Sequence, residues 1–379
     1  MDFLSFGYGA VVVCALVVYD ILPGRYRPMF LAALNVALLL LVAPVPALIV
    51  IGLALTVFLL SVKRPGPATV ALPLIVLGYF KYSHFVVHNL NRLGTSVALP
   101  PVMQVLGLSY FTFRLVSFSL DVMRKKITAP SLTVFINYVF FFSTVVAGPI
   151  DRYHAFVEAS GTREEDVLSG ASRIITGLFK KIVLAGALAA PATWLTLRDL
   201  PASRYVLSMY AYTFLIYFDF SGYTDIAVGT ARLFGYRIME NFASPYTKTN
   251  ISAFWKSWHM SLTQWFRDYL FIPLGGSRGT LARTVLNTVI VMLVTGLWHG
   301  ASWNFVFWGL YHAAGLSAYR LYSVYIRPRL PGTLLSAPGM SLFSWALTFH
   351  FVAFGWILFH TSTRQFIYIA AKLISGVIQ

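Results

Sequence analysis

Residues 29–62 carry no charged side chain, and only Pro44 and Pro46 interrupt the run. A transmembrane helix needs about 20 mostly apolar residues, so this stretch is long enough for two spans. Proline breaks a helix interior, so the two prolines mark a tight turn between them. The rest of the chain repeats the theme. Further spans are expected at about 3–22, 69–90, 103–122, 131–149, 204–235, 282–298, 301–322, 340–360 and 364–378. Only 11% of the 379 residues are charged and 58% are hydrophobic, whereas a soluble domain carries about 25% charged residues. That leaves too little polar surface to face water, and the chain reads as an all-α polytopic membrane protein. A transmembrane β-barrel would alternate over strands of about 10 residues, and these runs do not alternate. Segment 3–22 lacks a basic n-region and a small-residue cleavage site, so it reads as a retained first helix.

The formal net charge is +16. In a soluble protein such an excess points to nucleic acid, but no basic segment with interleaved aromatics stands clear of the apolar runs, and no nucleic-acid partner is expected. The positive charge instead faces anionic membrane lipids. Loops 23–28, 63–67 and 123–128 hold seven Lys and Arg, whereas the intervening loop 91–100 holds only Arg92. The three basic loops are therefore read as cytoplasmic, with the amino terminus outside. GTREED at 161–166 is the most acidic patch. Segment 171–197 places Arg173, Lys180 and Lys181 in its first half and reads as an interfacial amphipathic helix leading into a span. Cys14 is the only cysteine, which excludes a disulfide framework and a thiolate metal site. His84 and His88 have a metal-compatible spacing but lie near a span end in an apolar context. No metal is expected.

Segment 243–276 is too polar for an ordinary span and too aromatic for a free loop. It reads as a re-entrant or interfacial segment buried in protein. Within it WKSWHMSLTQWFRDY carries His259. If this stretch is one helix, Trp255, Trp258, His259, Leu262 and Phe266 share a face. His299 stands 40 positions later, in TGLWHGASWNF. An ionisable residue at bilayer depth costs about 2.5 kcal/mol or more and needs a partner or a purpose. A neutral imidazole is the cheapest general base to keep there. His299 reads either as that base, with small neighbours leaving room for a substrate, or as a structural histidine bonded between helices. His259 reads either as a second wall of a reaction chamber or as an interfacial aromatic-belt residue.

Other polar residues have plainer readings. Arg267 and Asp268 are adjacent, do not face each other on a helix, and are each expected to pair with another element. IPLGGSRG at 272–279 is a turn whose amides, with Arg278, could cradle a phosphate such as that of coenzyme A, or simply turn the chain. Asn304 lies about 140° round a straight helix from His299, either deeper in a pore or bound to another helix. His312 is expected to be a satisfied packing histidine. Asp219 and Asp225, six apart in DFSGYTD, do not form a paired-carboxylate site. One of them is expected to pair with Arg114, Lys180 or Arg267.

The chain resembles the membrane-bound O-acyltransferase family, and within it the bacterial branch that O-acetylates exopolysaccharides such as alginate. The resemblance is carried by YFTF with SFSLDVMR (110–124), VAGPIDRY (146–153), YFDFSGYTDIAVG (217–229), NFASPY (241–246), FWKSWHMSLTQWFRDYLFIPLGG (254–276), TGLWHGASWNFVFWGLYH (295–312) and FGWILFH (354–360). It departs from the branch in its shorter length, in Arg114 where Gln is usual, and in His360 where Arg is usual.

The resemblance implies a ring of about ten to twelve membrane-embedded helices, re-entrant segments included, around a central funnel. That is one membrane domain over 1–379, with its motif-bearing core at about 105–322. It implies that His299 is catalytic and His259 the second active histidine. Trp258, Trp298 and Trp303 then wall the chamber, and Asn304 and Arg278 contact substrate. No bound cofactor is expected. Acetyl-CoA is the acyl donor from the cytoplasm, and the acceptor is an extracytoplasmic polysaccharide. An acetylesterase-like periplasmic or extracytoplasmic protein is the expected partner, and the bacterial inner membrane the location. A D-alanyl-transferring relative of the teichoic-acid type shares WHMSL and WFRDY. Two readings outside this class are a proton-coupled transporter using Asp219, Asp225 and the histidines, and a scaffold in which both histidines are dispensable.

Overall fold

The computed structural model describes residues 6–103, 105, 107–145, 148–158 and 167–378; the acidic patch 161–166 and the first residues of segment 3–22 lie outside them. The described residues are helical, with no strand among them and one isolated antiparallel bridge. Six helices, Gly24–Val42, Pro44–Lys63, Pro67–Arg92, Val167–Thr196, Leu281–His299 and Met340–His360, are long and apolar enough to cross a membrane. The multi-pass reading stands.

Contacts divide the chain into two compact units, one of residues 1–179 with 222–240 and one of residues 180–221 with 241–379. The helices of the first are α1 (Phe6–Ile21), α2 (Arg27–Val42), α3 (Pro44–Lys63), α4 (Pro67–Leu77), α5 (Ser83–Arg92), α6 (Leu108–Met123), α7 (Leu132–Phe140), α8 (Tyr153–Glu158) and α9 (Val167–Leu178). The second holds α10 (Gly186–Ala192), most of α11 (Ala202–Leu233), α12 (Ile251–Trp255), α13 (Met260–Phe266), α14 (Leu281–His299), α15 (Trp303–Leu321), α16 (Gly332–Leu335), α17 (Met340–His360) and α18 (Thr363–Ile378). The last turns of α11 belong to the first unit.

The long apolar run folds as expected into α2 and α3, joined through Ala43. Pro44 opens α3 at a position where its missing N–H costs nothing. The expected span 131–149 does not form. The helix there stops at Phe140 after nine residues, about 14 Å at 1.5 Å per residue. The fully buried Arg114 of α6 ends it. One guanidinium nitrogen donates to the carbonyls of Tyr138 (3.2 Å) and Val139 (2.8 Å). The other donates to Thr144 O (3.1 Å), Thr144 Oγ1 (2.6 Å) and Pro149 O (3.3 Å). A cation suits the carbonyl end of a helix. Arg114 therefore anchors a turn and is not the partner of Asp219 or Asp225.

Asp225 pairs instead with Arg173 of α9 (Nε to Oδ1, 2.5 Å), and Arg173 also binds Glu240. Glycines let these helices approach closely. A methyl group on Gly177 would meet the Gly222 carbonyl at 2.5 Å, and one on Gly229 would meet the Gly170 carbonyl at 2.6 Å. In the second unit Lys181 holds Asp219. The expected partners of the two carboxylates are thus displaced by neighbours on α9 and on the π-helical turn that follows it. Segment 167–196 is one unbroken helical run in which that turn, Phe179–Ala185, carries both lysines. Arg267 and Asp268, expected to seek other elements, bond each other at 2.8 Å. They open a π-helical turn, Arg267–Phe271, where α-helical spacing does not apply.

Candidate active site

The segment expected to be re-entrant is built from short broken pieces of the second unit. The presumed single helix across 255–266 does not exist. It ends at Trp255, turns through Lys256–Trp258, and restarts at Met260. His259 sits at the break with φ +43° and ψ +54°. A left-handed conformation costs a non-glycine residue about 1–2 kcal/mol, so neighbouring contacts must impose it. Segment 241–243 does so, bridging Phe242 to Trp258 and receiving the amide of Met260 on the Asn241 carbonyl at 2.9 Å.

His259 is 2% exposed. Its ring stands edge-on to Phe220 (4.7 Å between centroids) and 5.8 Å from Trp298. Neither ring nitrogen has a hydrogen-bond partner among the described residues. His299 ends α14 and is half-buried. Its ring lies 4.7 Å from Trp298, 5.2 Å from Trp308 and 4.9 Å from Phe359. The two histidines therefore stand against the same indole, that of Trp298. Trp258 is buried one layer away, against Phe242 and Trp356.

The other expected site residues are not brought to this cluster. Trp303 is 47% exposed and packs on Phe307. The helix assumed to link His299 to Asn304 breaks at Gly300, so the angular argument lapses. Asn304 donates to the Leu358 carbonyl of α17 (3.3 Å), which is the helix-binding alternative. Arg278 lies exposed in its turn. The amides of Gly275, Gly276 and Arg278 donate to the carbonyls of Ile272, Phe271 and Gly275, so these three are committed to the turn. His312 is fully buried, but its nitrogens have no hydrogen-bond partner. It is held by ring contacts with Trp255 (5.1 Å) and Trp308 (4.9 Å), not satisfied as expected.

A cavity of about 420 Å³ runs along the antiparallel pair α14 and α15. On α14 its lining passes Thr284, Thr288, Met292 and Thr295; on α15 it passes Leu316 and Arg320, and Ser323 joins from the π-helical turn that follows. Lys256, Arg267 and Arg320, all exposed, line the cavity, and no carboxylate does among the described residues. Leu262, Phe266, Met292 and Trp255, all buried, supply an apolar part of the lining. The lining stops at Thr295, four residues before His299, or about 6 Å of helix rise. Trp255 of the lining packs edge-on against Trp308, whose ring lies 5.2 Å from that of His299. Arg320 was missed in the sequence because it reads as an ordinary basic residue in a last turn. Its signal was the helical spacing of Leu316, Arg320 and Ser323.

The pattern of the membrane-bound O-acyltransferase family matches residues 39–352. The chain belongs to that family. Among its relatives is a probable alginate O-acetylase of Pseudomonas aeruginosa, 37% identical over 78% of this chain and 57% of the relative. The peptidoglycan O-acetyltransferase of Helicobacter pylori is 31% identical over 80% of this chain and 62% of its own length. The teichoic acid D-alanyltransferase of Bacillus subtilis is 32% identical over 69% of this chain and 70% of its own. The chain thus spans somewhat under two thirds of the O-acetylating relatives it matches. The matched region of this membrane-bound O-acyltransferase family member includes both Trp-His blocks and the whole lining of the cavity.

Proposed function

We propose that the protein is an acyltransferase that takes an acetyl group from cytoplasmic acetyl-CoA and passes it across the bacterial inner membrane. The acceptor is a hydroxyl of an extracytoplasmic polysaccharide, reached directly or through an acetylesterase-like partner. Family membership and the names of the O-acetylating relatives support the reaction class. The single observation that carries the donor is the cavity. The three basic side chains of its lining suit the phosphates of coenzyme A, and its apolar lining, which includes Met292 of the helix that ends at His299, suits a short acyl thioester. In the reaction, His299 takes the proton of the acceptor hydroxyl as that oxygen attacks the thioester carbonyl. The C–S bond then breaks and the thiolate leaves. His259, beside the shared indole, orients the reacting group. The membrane-embedded helices form a ring around the passage through which donor and acceptor meet.

The carboxylates invoked for a proton-relaying transporter are engaged by Lys181 and Arg173, which supports the enzyme over the transporter. The D-alanyl alternative keeps one support, the fuller coverage of the Bacillus subtilis relative. The test uses inside-out vesicles supplied with labelled acetyl-CoA and labelled D-alanyl donor in parallel. Acetyl transfer by the wild type, lost in His299→Ala while the variant still inserts, supports the proposal. Wild-type transfer by His299→Ala, or transfer of D-alanine alone, refutes it.

A further inference from the structure

The left-handed backbone at His259 is maintained from one short segment. Ala243 donates to the Ser257 carbonyl (3.0 Å) on one side of the histidine. On the other side the Asn241 carbonyl receives the Met260 amide (2.9 Å). The Asn241 side chain reaches one residue further. Its Oδ1 accepts from Ser261 Oγ at 2.6 Å and from the Ser261 amide at 3.4 Å. Asn241 and Ser261 are both fully buried, where a hydrogen bond is strong and a lost partner is costly. Trp258 and His259 are thus the two residues held between bonded anchors, and the His259 ring is placed between Phe220 and Trp298. Backbone strain of about 1–3 kcal/mol persists only where surrounding structure over-determines it, and it concentrates at functional sites.

We propose that Asn241 is a positioning residue for the acyl-transfer step. It clamps Ser261 so that His259 stays left-handed and its imidazole is presented beside Trp298, toward the group reacting at His299. The inference rests on the acyltransferase reading and deepens it. In the absence of the clamp, the chain through 256–261 relaxes toward continuous helix, and the ring leaves the indole.

The test is a double-mutant cycle on the full chain in vesicles, with initial rates from labelled acetyl-CoA. Asn241→Ala is expected to lower kcat about 10- to 100-fold, the range for a displacement near 1 Å, with the KM for acetyl-CoA unchanged. Combined with His259→Ala, it is expected to add no further loss, because both changes remove the same contribution. Ser261→Ala, a smaller change less prone to misfolding, is expected to repeat the pattern with a smaller loss. Loss factors that multiply in full when combined with His259→Ala, or a KM that rises in step with lost turnover, overturn the positioning role alone. Wild-type turnover by His259→Ala removes the histidine from the reaction and overturns the positioning role with it. Turnover abolished by His299→Ala in the same assay shows that the acyltransferase reading survives either result.

Discussion

Replacing Gly296 with alanine places a methyl group in the backbone of the neighbouring helix. Gly296 lies three residues before His299 on α14, and a Cβ built there meets the Phe305 carbonyl oxygen of α15 at 2.2 Å and its carbonyl carbon at 3.1 Å. Small residues allow such backbone approach between membrane helices. No side-chain rotation relieves a clash with backbone, so the helices must separate. Reaching ordinary contact at 3.4 Å requires an opening of about 1.2 Å. Overpacking of this kind costs about 1–3 kcal/mol, partly offset by the gain of about 1 kcal/mol from alanine in a helix. The larger effect is catalytic. His299 is carried on the displaced turn, and a misplacement near 1 Å costs about 100-fold in rate. The assay is acetyl transfer in vesicles alongside thermal unfolding of the detergent-solubilised protein. Gly52→Ala and Gly186→Ala serve as controls, since a methyl group at either position meets nothing within 4 Å. The controls are expected to match the wild type, while Gly296→Ala loses about two orders of magnitude in kcat with a modest fall in Tm. Wild-type turnover by Gly296→Ala would show that the α14–α15 contact does not set the position of the catalytic imidazole.

The cavity supports two further predictions. Changing Lys256, Arg267 or Arg320 to Gln should raise the KM for acetyl-CoA about five-fold each and leave kcat alone, since an exposed ionic contact is worth about 1 kcal/mol. Arg267 should show the smallest effect because Asp268 already pairs with it. A fall in kcat at constant KM would place the donor elsewhere. Trp255→Ala removes the wall between the cavity and Trp308, so acetyl-CoA hydrolysis without acceptor should rise several-fold relative to transfer. An unchanged ratio of hydrolysis to transfer would show that the indole is not the partition.

The sequence alone determined the class and most of the helices of this protein. Continuous apolar runs at 29–62, 282–298 and 340–360 can satisfy their backbone groups in lipid only as helices, and that constraint is local. The same holds for the broken segment at 243–276, whose mixed polar and aromatic composition excludes an ordinary span. The two Trp-His blocks, and through them the family, were equally legible in the residues themselves. What helical periodicity could not supply was everything fixed by contacts between distant positions. The helix expected to end near 149 stops at Phe140 because Arg114, 24 residues earlier, caps the Tyr138 carbonyl. Asp225 finds Arg173, and Asp219 finds Lys181, by the packing of separate segments. His259 is left-handed where the distant segment 241–243 bonds Ser257 and Met260 on either side of it. Arg320 joins Lys256 and Arg267 only because α15 and the broken segment 251–271 line one cavity. A local pattern reports which face of an element is apolar. Which polar groups meet across elements is decided by the few arrangements that leave the fewest buried donors and acceptors unpaired, and those exist only in the folded chain.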